Sequence, residues 1–248
     1  MFQSKRIWLI GASEGIGAAL ATQLSHEGAQ LILSSRQQQR LLEVQQGLAG
    51  QGHQVAVMDV TSRESVRHAF QEVIQQGVPD IVIYNAGAYD PMSAQGMDLA
   101  RAEQMIDVNF SGALRVLDSV LPAMLSRQQG HIVLVASVAG YRGLPKAIGY
   151  GASKAALLHL AENLYIDLET TGIKVQVVNP GFVKTRLTDK NDFKMPMMIS
   201  PEQAASAMVA GMKTNRFDIH FPKRFTRVMK LLRLLPYPWY FWLVRTLL

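Results

Sequence analysis

The chain has 248 residues, of which 48% are hydrophobic and 18% charged, a composition typical of a globular protein with a sizeable core. It contains no cysteine, which excludes a disulfide framework and a thiolate metal site, and we predict no metal. The N-terminus enters a strand-like run at once, so we expect a cytoplasmic protein without a signal peptide. The net charge of +6 equals the six basic residues that follow Pro222. The neutral body shows no basic patch, and nucleic acid is not an expected partner.

Strand-like apolar runs alternate with helical patterns along most of the chain. The predicted strands are 5–10, 30–34, 54–58, 80–84, 131–136, 174–178 and 218–221, and the predicted helices are 18–27, 38–49, 63–76, 99–127, 150–171 and 201–213. This alternation predicts one α/β domain over 1–222, in which helices cover both faces of a doubly wound parallel sheet in three layers. Ligands bind at the carboxyl ends of such strands, so the residues that follow the strands are candidates for a functional site.

A glycine-rich turn follows the first strand and precedes the first helix. Gly11, Gly15 and Gly17 would let the backbone approach a pyrophosphate closely, and the helix N-terminus would offer it unpaired amides. The spacing G-x-x-x-G-x-G differs from the common dinucleotide fingerprint. The alternative is a tight turn whose small residues serve only packing.

The end of the second strand carries the residues that distinguish the two nicotinamide dinucleotides. An acidic residue there binds the ribose hydroxyls, whereas a basic residue accommodates a 2′-phosphate. Ser35 and Arg36 stand at this point, which favours NADP(H) over NAD(H). Two features leave the preference open: Arg36 also suits a surface position that opens a helix, and Glu14 in the glycine turn would lie near the additional phosphate.

Tyr150 and Lys154 are four residues apart, so a helix that begins near Tyr150 places a phenol and an ammonium on one face. A free phenol has a pKa of about 10, and a neighbouring cation lowers it, which predicts proton exchange nearer to neutral pH. Ser137, at the end of the fifth strand, would hold a substrate carbonyl oxygen against the phenol. The alternative is an ordinary amphipathic helix in which the pair occurs by chance.

Taken in order and spacing, these motifs resemble those of the short-chain dehydrogenase/reductase family over about residues 5 to 222. The resemblance implies four catalytic residues: Asn109, Ser137, Tyr150 and Lys154. The cofactor-binding residues that it implies are Gly11, Ser13, Gly15, Ile16, Gly17, Ser35, Arg36, Asp59, Val60, Asn85, Ala86, Gly87, Tyr150, Lys154, Pro180, Gly181, Val183 and Thr185.

The resemblance implies a Rossmann-like fold and hydride transfer between a nicotinamide and a carbonyl or alcohol. Because cells generally keep NADP(H) reduced, we expect reduction to be the working direction. Tyr150 would be the general acid in reduction and the base in oxidation. Lys154 would lower the pKa of the phenol and hold the nicotinamide ribose, Ser137 would orient the substrate oxygen, and Asn109 would seat a water in a proton relay. Members of the family commonly form homodimers or homotetramers through two long helices, so we expect a homo-oligomer.

Two positions depart from the family pattern. The family threonine before the first glycine is Ile10 here, and the family motif Asn-Asn-Ala-Gly begins with Tyr84. In the family, the threonine ties the first turn to the motif after the fourth strand by a hydrogen bond that isoleucine cannot make. We therefore expect reduced local rigidity without loss of activity.

The segment between Thr185 and Pro201 occupies the position of the family's substrate lid. Its apolar, adaptable residues favour a lipophilic ketone, aldehyde or secondary alcohol, although the methionines are equally suited to packing the loop onto the body. These lid residues are Phe193, Met195, Met197 and Met198, and further candidates for the pocket are Tyr89, Met92 and 141–144. One alternative function is reduction of 3-oxoacyl thioesters, which calls for a basic docking surface for an acidic carrier protein. The other is a non-catalytic cofactor sensor or scaffold at the membrane, against which the complete set of four catalytic residues argues.

The last segment, 223–248, forms a basic and aromatic appendage. Residues 231–248 include two prolines and two arginines and are a poor transmembrane span. Leucines and aromatic residues among the cations favour a peripheral contact with the inner face of a membrane, to which each cation adds about 1 kcal/mol. The alternatives are packing on a partner subunit and packing across the chain's own substrate cleft.

Overall fold

The computed structural model describes residues 1–193 and 195–247. The strands are β1 (Arg6–Ile10), β2 (Gln30–Ser34), β3 (Gln54–Val55), β4 (Ile81–Tyr84), β5 (Gly130–Val135), β6 (Ile173–Pro180) and β7 (Asp218–Phe221). The α-helices are α1 (Gly15–His26), α2 (Gln38–Gln46), α3 (Arg63–Ile74), α4 (Leu99–Ile106), α5 (Gly112–Ser126), α6 (Ile148–Asp167), α7 (Pro201–Met212), α8 (Lys223–Leu234) and α9 (Tyr237–Leu247). Lys194 of the predicted lid and Leu248 of the predicted appendage lie outside the described residues.

The strands form a parallel sheet in the order β3-β2-β1-β4-β5-β6-β7. Side chains along β1 alternate between two cores, because successive residues of a strand point to opposite faces. Trp8 and Ile10 belong to the core that α3, α5 and α6 cover, whereas Ile7 and Leu9 belong to the core under α1, α2 and α7. The prediction of a three-layer, Rossmann-like α/β domain is therefore confirmed.

Two predicted elements differ from the observed ones. The third strand, predicted over 54–58, pairs with β2 through Gln54 and Val55, and it lies at the edge of the sheet. The helix predicted over 99–127 is divided into α4 and α5 by a π-helical turn, Asp107–Ser111, which contains Asn109. Such turns insert a residue into a helix and are frequent at functional sites. The other elements lie within about four residues of their predicted bounds.

The last two helices pack against the body through Arg142. Its Nη1 donates to the carbonyl oxygens of Leu232 at 2.9 Å and Leu235 at 2.6 Å, where α8 ends. The guanidinium carbon lies 4.6 Å from the ring centre of Tyr237 and 4.2 Å from that of Tyr240. Tyr240 is 1% exposed, so α9 is anchored as well. In the part of the chain that is described, no helix has the length and hydropathy needed to cross a membrane.

Candidate active site

The carboxyl ends of β1 and β4 lie side by side where the strand order reverses. In a doubly wound sheet, this reversal opens a crevice that binds ligands. A cleft of about 850 Å³ lies at this position. Every predicted site residue except Gly17 and Asn109 lines it. The predicted residues therefore come together in space, although they are spread from Gly11 to Thr185 in the sequence.

The glycine turn packs directly against the end of β4. Gly11 has a φ of +87°, and a Cβ on it would lie 2.6 Å from the backbone nitrogen of Ala86. A Cβ on Gly17 would lie 1.9 Å from the carbonyl oxygen of Gly11, so Gly17 lets α1 pack on the turn. Gly15 lines the cleft opposite Thr185, to which a Cβ would come within 3.1 Å. Close packing thus requires glycine at Gly11 and Gly17, and the role of the turn in the approach of a ligand stays a prediction.

The residues that replace the family's threonine and asparagine leave this region well connected. The side-chain amide of Asn85 donates to the carbonyl oxygen of Gly11 at 2.8 Å. Its backbone nitrogen donates to the carbonyl oxygen of Ile10 at 2.9 Å. The buried Tyr84 hydroxyl donates to the carbonyl oxygen of Val108 in the π-helical turn. The connection expected to be missing at Ile10 is therefore made by Asn85, and Tyr84 adds another, so reduced rigidity does not follow from these replacements.

Guanidinium groups surround one end of the cleft. Arg36 is exposed there, next to Ser35. Glu14, which was expected to oppose an additional phosphate, is paired with Arg40 at 2.5 Å and with Arg186 at 3.2 Å. Arg36 and Arg186 line the cleft, and the Glu14 carboxylate is paired with two guanidinium groups, those of Arg40 and Arg186.

Asn109 is buried behind the cleft, in the π-helical turn. Its side-chain oxygen accepts from the backbone nitrogen of Ala88 at 2.7 Å. Its amide nitrogen donates to the carbonyl oxygen of Ala88 at 3.0 Å and to the Ser153 hydroxyl at 2.8 Å. Ser153 in turn donates to the carbonyl oxygen of Tyr150 at 2.8 Å. Asn109 therefore connects the loop after β4 to the first turn of α6, which carries Tyr150.

Tyr150, Lys154 and Ser137 meet on one wall of the cleft. The Lys154 ammonium donates to the carbonyl oxygen of Val135 at 2.8 Å and lies 5.8 Å from the centre of the Tyr150 ring. Burial lowers the pKa of Lys154 to about 8. Burial also raises the pKa of Tyr150, and the neighbouring Ser137 hydroxyl lowers it in part. The prediction of a lowered phenol pKa is therefore wrong for this structure, because desolvation of the phenol outweighs the other influences.

A second tyrosine, Tyr89, packs edge-to-face on Tyr150. The ring centres are 4.8 Å apart, and the ring planes form an angle of 75°. The Tyr89 hydroxyl donates to the side-chain oxygen of Asn191, and the Lys190 ammonium donates to the Tyr89 carbonyl oxygen at 2.8 Å. Burial raises the pKa of Tyr89 to about 12, so its hydroxyl keeps the proton at neutral pH. Tyr89 thus connects the lid to the ring of Tyr150.

The lid differs in part from its prediction. Phe193 lines the cleft, as expected of a substrate-facing residue. Met197 and Met198 are exposed and do not line the cleft, so the alternative in which they pack onto the body does not describe them. Of the other predicted pocket residues that the structure describes, Tyr89 and Leu144 line the cleft, whereas Met92 packs in a small cluster with Met105 and Ala102.

Sequence reasoning missed the residues of α8 that cover the cleft. Phe225 and Met229 line it from the side of the appendage. The Phe225 ring centre lies 5.3 Å from that of Phe182, and a Cβ on Gly181 would lie 2.8 Å from the Phe225 ring. The helix α8 thus packs across the cleft, which agrees with one of the alternatives predicted for the last segment. The available signal was the four-residue spacing of Phe225 and Met229, which places them on one helix face.

Fold and site together define a class of protein: an oxidoreductase that uses a nicotinamide dinucleotide. Residues 5–195 match the family described as short chain dehydrogenase. An uncharacterized oxidoreductase from Myxococcus xanthus is 34% identical over 231 residues, which cover 92% of this chain and 91% of that protein. The chain belongs to the short-chain dehydrogenase family.

Solved structures agree with the fold. The closed form of a serine dehydrogenase complexed with NADP⁺ superimposes with a TM-score of 0.79 at 25% identity, covering 87% of this chain and 94% of that chain. A short-chain dehydrogenase/reductase from Burkholderia phymatum in complex with NAD gives a TM-score of 0.85 at 23% identity, with 93% of each chain covered. Because the two structures hold different cofactors, the preference of this chain must be argued from its own residues.

Replacing Gly11 by Ala tests the close contact between the turn and β4. We expect a loss of about 2 to 4 kcal/mol in the free energy of unfolding, since the variant combines a positive φ with backbone overlap at Ala86. Urea denaturation measures it. Gly143→Ala is the matched control, because no atom lies within 4 Å of its added Cβ. Equal stability of the two variants would contradict the analysis.

Proposed function

We propose that the protein is an NADP(H)-dependent reductase of lipophilic ketones or aldehydes, which oxidises the corresponding secondary alcohols in reverse. The observation that carries the proposal is the meeting of Tyr150, Ser137 and Lys154 on one wall of a cleft whose floor is the glycine turn. A proton donor, an orienting hydroxyl and a cation then face the space beside a dinucleotide site.

The cleft fits a dinucleotide by its shape and its donors. The glycine turn leaves space above the N-terminus of α1, and Gly15 and Ile16 of that terminus line the cleft. In our proposal this terminus and Ser13 bind the pyrophosphate, and Asp59 and Val60 contact the adenine. Lys154 and the segment Pro180–Thr185, including Val183, hold the nicotinamide half. When bound, the nicotinamide supplies the hydride.

The Tyr150 hydroxyl gives its proton to the carbonyl oxygen while the carbonyl carbon accepts the hydride. The raised pKa keeps the proton on the phenol until this oxygen accepts it. Lys154 stabilises the phenolate that forms, and Ser137 donates to the same carbonyl oxygen and fixes its position. Asn109 is assigned the water of the proton relay, and its bonds to Ala88 and Ser153 hold this part of the site in place.

The cofactor preference rests on the charge at the adenosine end. The guanidinium of Arg36 is exposed to the cleft, and Glu14 is paired with Arg40 and Arg186. A 2′-phosphate placed there would accept charge-assisted hydrogen bonds that a ribose hydroxyl cannot match. These contacts support NADP(H) over NAD(H).

The substrate class rests on an apolar part of the cleft lining. Phe182, Phe193 and Phe225 form a connected aromatic surface there, with neighbouring ring centres 5.9 Å and 5.3 Å apart. The 3-oxoacyl-thioester alternative is less favoured, because two of the cations that line the cleft are paired with carboxylates. Arg101 pairs with Asp90, and Lys146 pairs with Asp192. Paired cations give an acidic carrier protein little net charge to bind.

We also propose that the chain works as a cytoplasmic homodimer or homotetramer, with 1–222 as the catalytic domain and 223–248 as an appendage. Apolar residues are exposed on the two helices that the family uses for assembly: Leu114 and Leu125 on α5, and Tyr165 and Ile166 on α6. Covering these residues in an assembly would remove apolar surface from water.

Replacing Tyr150 by Phe removes the proposed proton donor and keeps the aromatic ring. We expect kcat for NADPH-dependent ketone reduction to fall by at least about 100-fold, while NADPH affinity, followed by tryptophan fluorescence, changes by less than about tenfold. Tyr165→Phe, at an exposed tyrosine of the same helix, should retain wild-type kcat. Undiminished turnover in Tyr150→Phe would refute the assignment. A wild-type chain that binds NADPH and reduces no carbonyl would favour the sensor.

The lowered pKa of Lys154 predicts a pH dependence. The ammonium is present below pH about 8 and loses its proton above it, whereas the raised pKa of Tyr150 keeps the phenol protonated through this range. We expect kcat/KM for reduction to be level below pH about 8 and to fall by about tenfold per pH unit above it. Lys154→Arg keeps its charge and should lose this decline, even if its rate is lower. A wild-type rate that increases through pH 8 is incompatible with this role.

Replacing Arg36 by Leu tests the cofactor preference. We expect the Kd for NADPH to increase by about 10- to 100-fold through loss of a charge-assisted hydrogen bond, with little change for NADH. Fluorescence titration with both cofactors measures the difference. Arg67→Leu, which removes an exposed guanidinium from α3, serves as the control for net charge. Equal weakening of NADPH and NADH by Arg36→Leu would show that Arg36 does not read the 2′-phosphate.

A further inference from the structure

The helix α8 has two faces with different surroundings. Phe225, Thr226 and Met229 point inward, at the spacing of one helix face, towards the cleft and the core. The opposite face includes Val228, Leu231 and Leu234, and Leu234 is 79% exposed. The apolar residues of this outer face therefore remain in water although the helix is firmly attached to the body.

The helix α9 extends this exposed surface with aromatic residues. Tyr240 is the anchor on its inner side, where its hydroxyl donates to the carbonyl oxygen of Gly143 at 2.6 Å. Trp239, Phe241 and Trp242 are exposed around it, and Trp239 is 70% exposed. Monomeric proteins seldom leave a contiguous set of large apolar side chains in water, and such patches commonly mark an interaction surface.

Cations accompany this surface, and 223–248 contains no acidic residue. Arg224 and Arg227 are exposed on α8, and Arg245 is exposed on α9. Lys230 pairs with Asp218 of β7, so it belongs to the attachment of α8 to the sheet. Tryptophan and tyrosine beside arginine are the combination found where proteins enter the headgroup region of a bilayer.

We propose that the outer surface of α8 and α9 docks the protein on an anionic lipid bilayer. A second copy is a poorer occupant, because two identical surfaces would bring their arginines together without an acidic residue of the appendage to offset them. An acidic protein would satisfy the arginines, yet it would leave the exposed tryptophans and leucines without an apolar partner. A bilayer satisfies both, since its headgroups are charged and its acyl chains are apolar.

Docking would also affect how substrate reaches the cleft, and this inference rests on the proposed function. Phe225 and Met229 cover the cleft from within, while Val228 and Leu231 of the same helix would face the lipid. A lipophilic carbonyl dissolved in the bilayer would then have only the thickness of one helix between it and the substrate wall. The membrane would act as the source of substrate.

Vesicle flotation of the full chain tests the docking, with phosphatidylcholine alone and with phosphatidylcholine plus phosphatidylserine. We expect the wild-type chain to float with the anionic vesicles. Arg224→Gln combined with Arg227→Gln should weaken this binding by about 30-fold, since each cation near an anionic surface adds about 1 kcal/mol. The control Arg63→Gln combined with Arg67→Gln removes two exposed cations of α3 and should bind as the wild type does.

The apolar contribution is tested by Trp239→Ser combined with Trp242→Ser. We expect at least about tenfold weaker vesicle binding, with the thermal unfolding midpoint unchanged because both side chains are exposed. Leu99→Ser combined with Ile74→Ser is the control, at exposed apolar residues of α4 and α3 that lie outside the helices proposed for assembly. The proposal is overturned if the wild-type chain does not float, or if this control weakens binding equally. It is also overturned if light scattering shows a dimer that the tryptophan variant dissociates.

Turnover measurements distinguish a failure of the docking proposal from a failure of the proposed function. The NADPH-dependent rate with a long-chain ketone should increase when anionic vesicles are added, and the rate with a short water-soluble ketone should not. The tryptophan variant should lose the increase and keep the short-ketone rate. Vesicle binding without reduction of any carbonyl would leave the docking intact and refute the proposed function. Reduction of a carbonyl without vesicle binding would refute the docking and leave the proposed function intact.

Discussion

The backbone contact between the turn after β1 and the end of β4 is the constraint on which the site depends. Gly11 approaches Ala86 so closely that no side chain fits between them, and Asn85 joins the two segments by a hydrogen bond. This contact sets the floor of the cleft at the reversal of strand order. Because the neighbouring strands β5 and β6 extend the same sheet edge, Ser137 and Gly181 are brought to the cleft by the sheet itself, without long loops.

Burial decides the electrostatics of this cleft more than charge pairing does. Lys154 and Tyr150 are both withdrawn from water, and desolvation disfavours the charged form of each, so the pKa of Lys154 falls, the pKa of Tyr150 rises and the two values move apart. Burial therefore favours a protonated, neutral phenol on Tyr150 beside a Lys154 ammonium that loses its proton readily. A phenol that holds its proton suits the donor role proposed for reduction, which is also the direction expected if the proposed NADP(H) preference holds.

The sequence was sufficient to predict the fold and which residues meet in the candidate site, for a physical reason. Each apolar run is followed by its polar or glycine residues, and a parallel sheet brings those positions to one edge, so Asn85, Ser137 and Pro180 were found from their place after a strand. The rest depends on distant contacts. The bond from Tyr84 to Val108, the π-helical turn at Asn109 and the raised pKa of Tyr150 all arise from packing that no local pattern reports. The attachment of α8 depends on Arg142, about 90 residues away.

The appendage illustrates how one helix can serve two environments. On its inner face, Phe225 and Met229 line the cleft. At its C-terminal end, Arg142 caps α8 by donating hydrogen bonds to the carbonyl oxygens of Leu232 and Leu235. Since the inner face and the end of the helix are already satisfied, the apolar residues of the outer face add nothing to its attachment. A helix with apolar residues on two opposite faces ordinarily has both faces buried against other apolar surfaces. In the proposed docking an external surface covers the outer face, and a lipid headgroup region suits this role because it accepts arginine beside tryptophan.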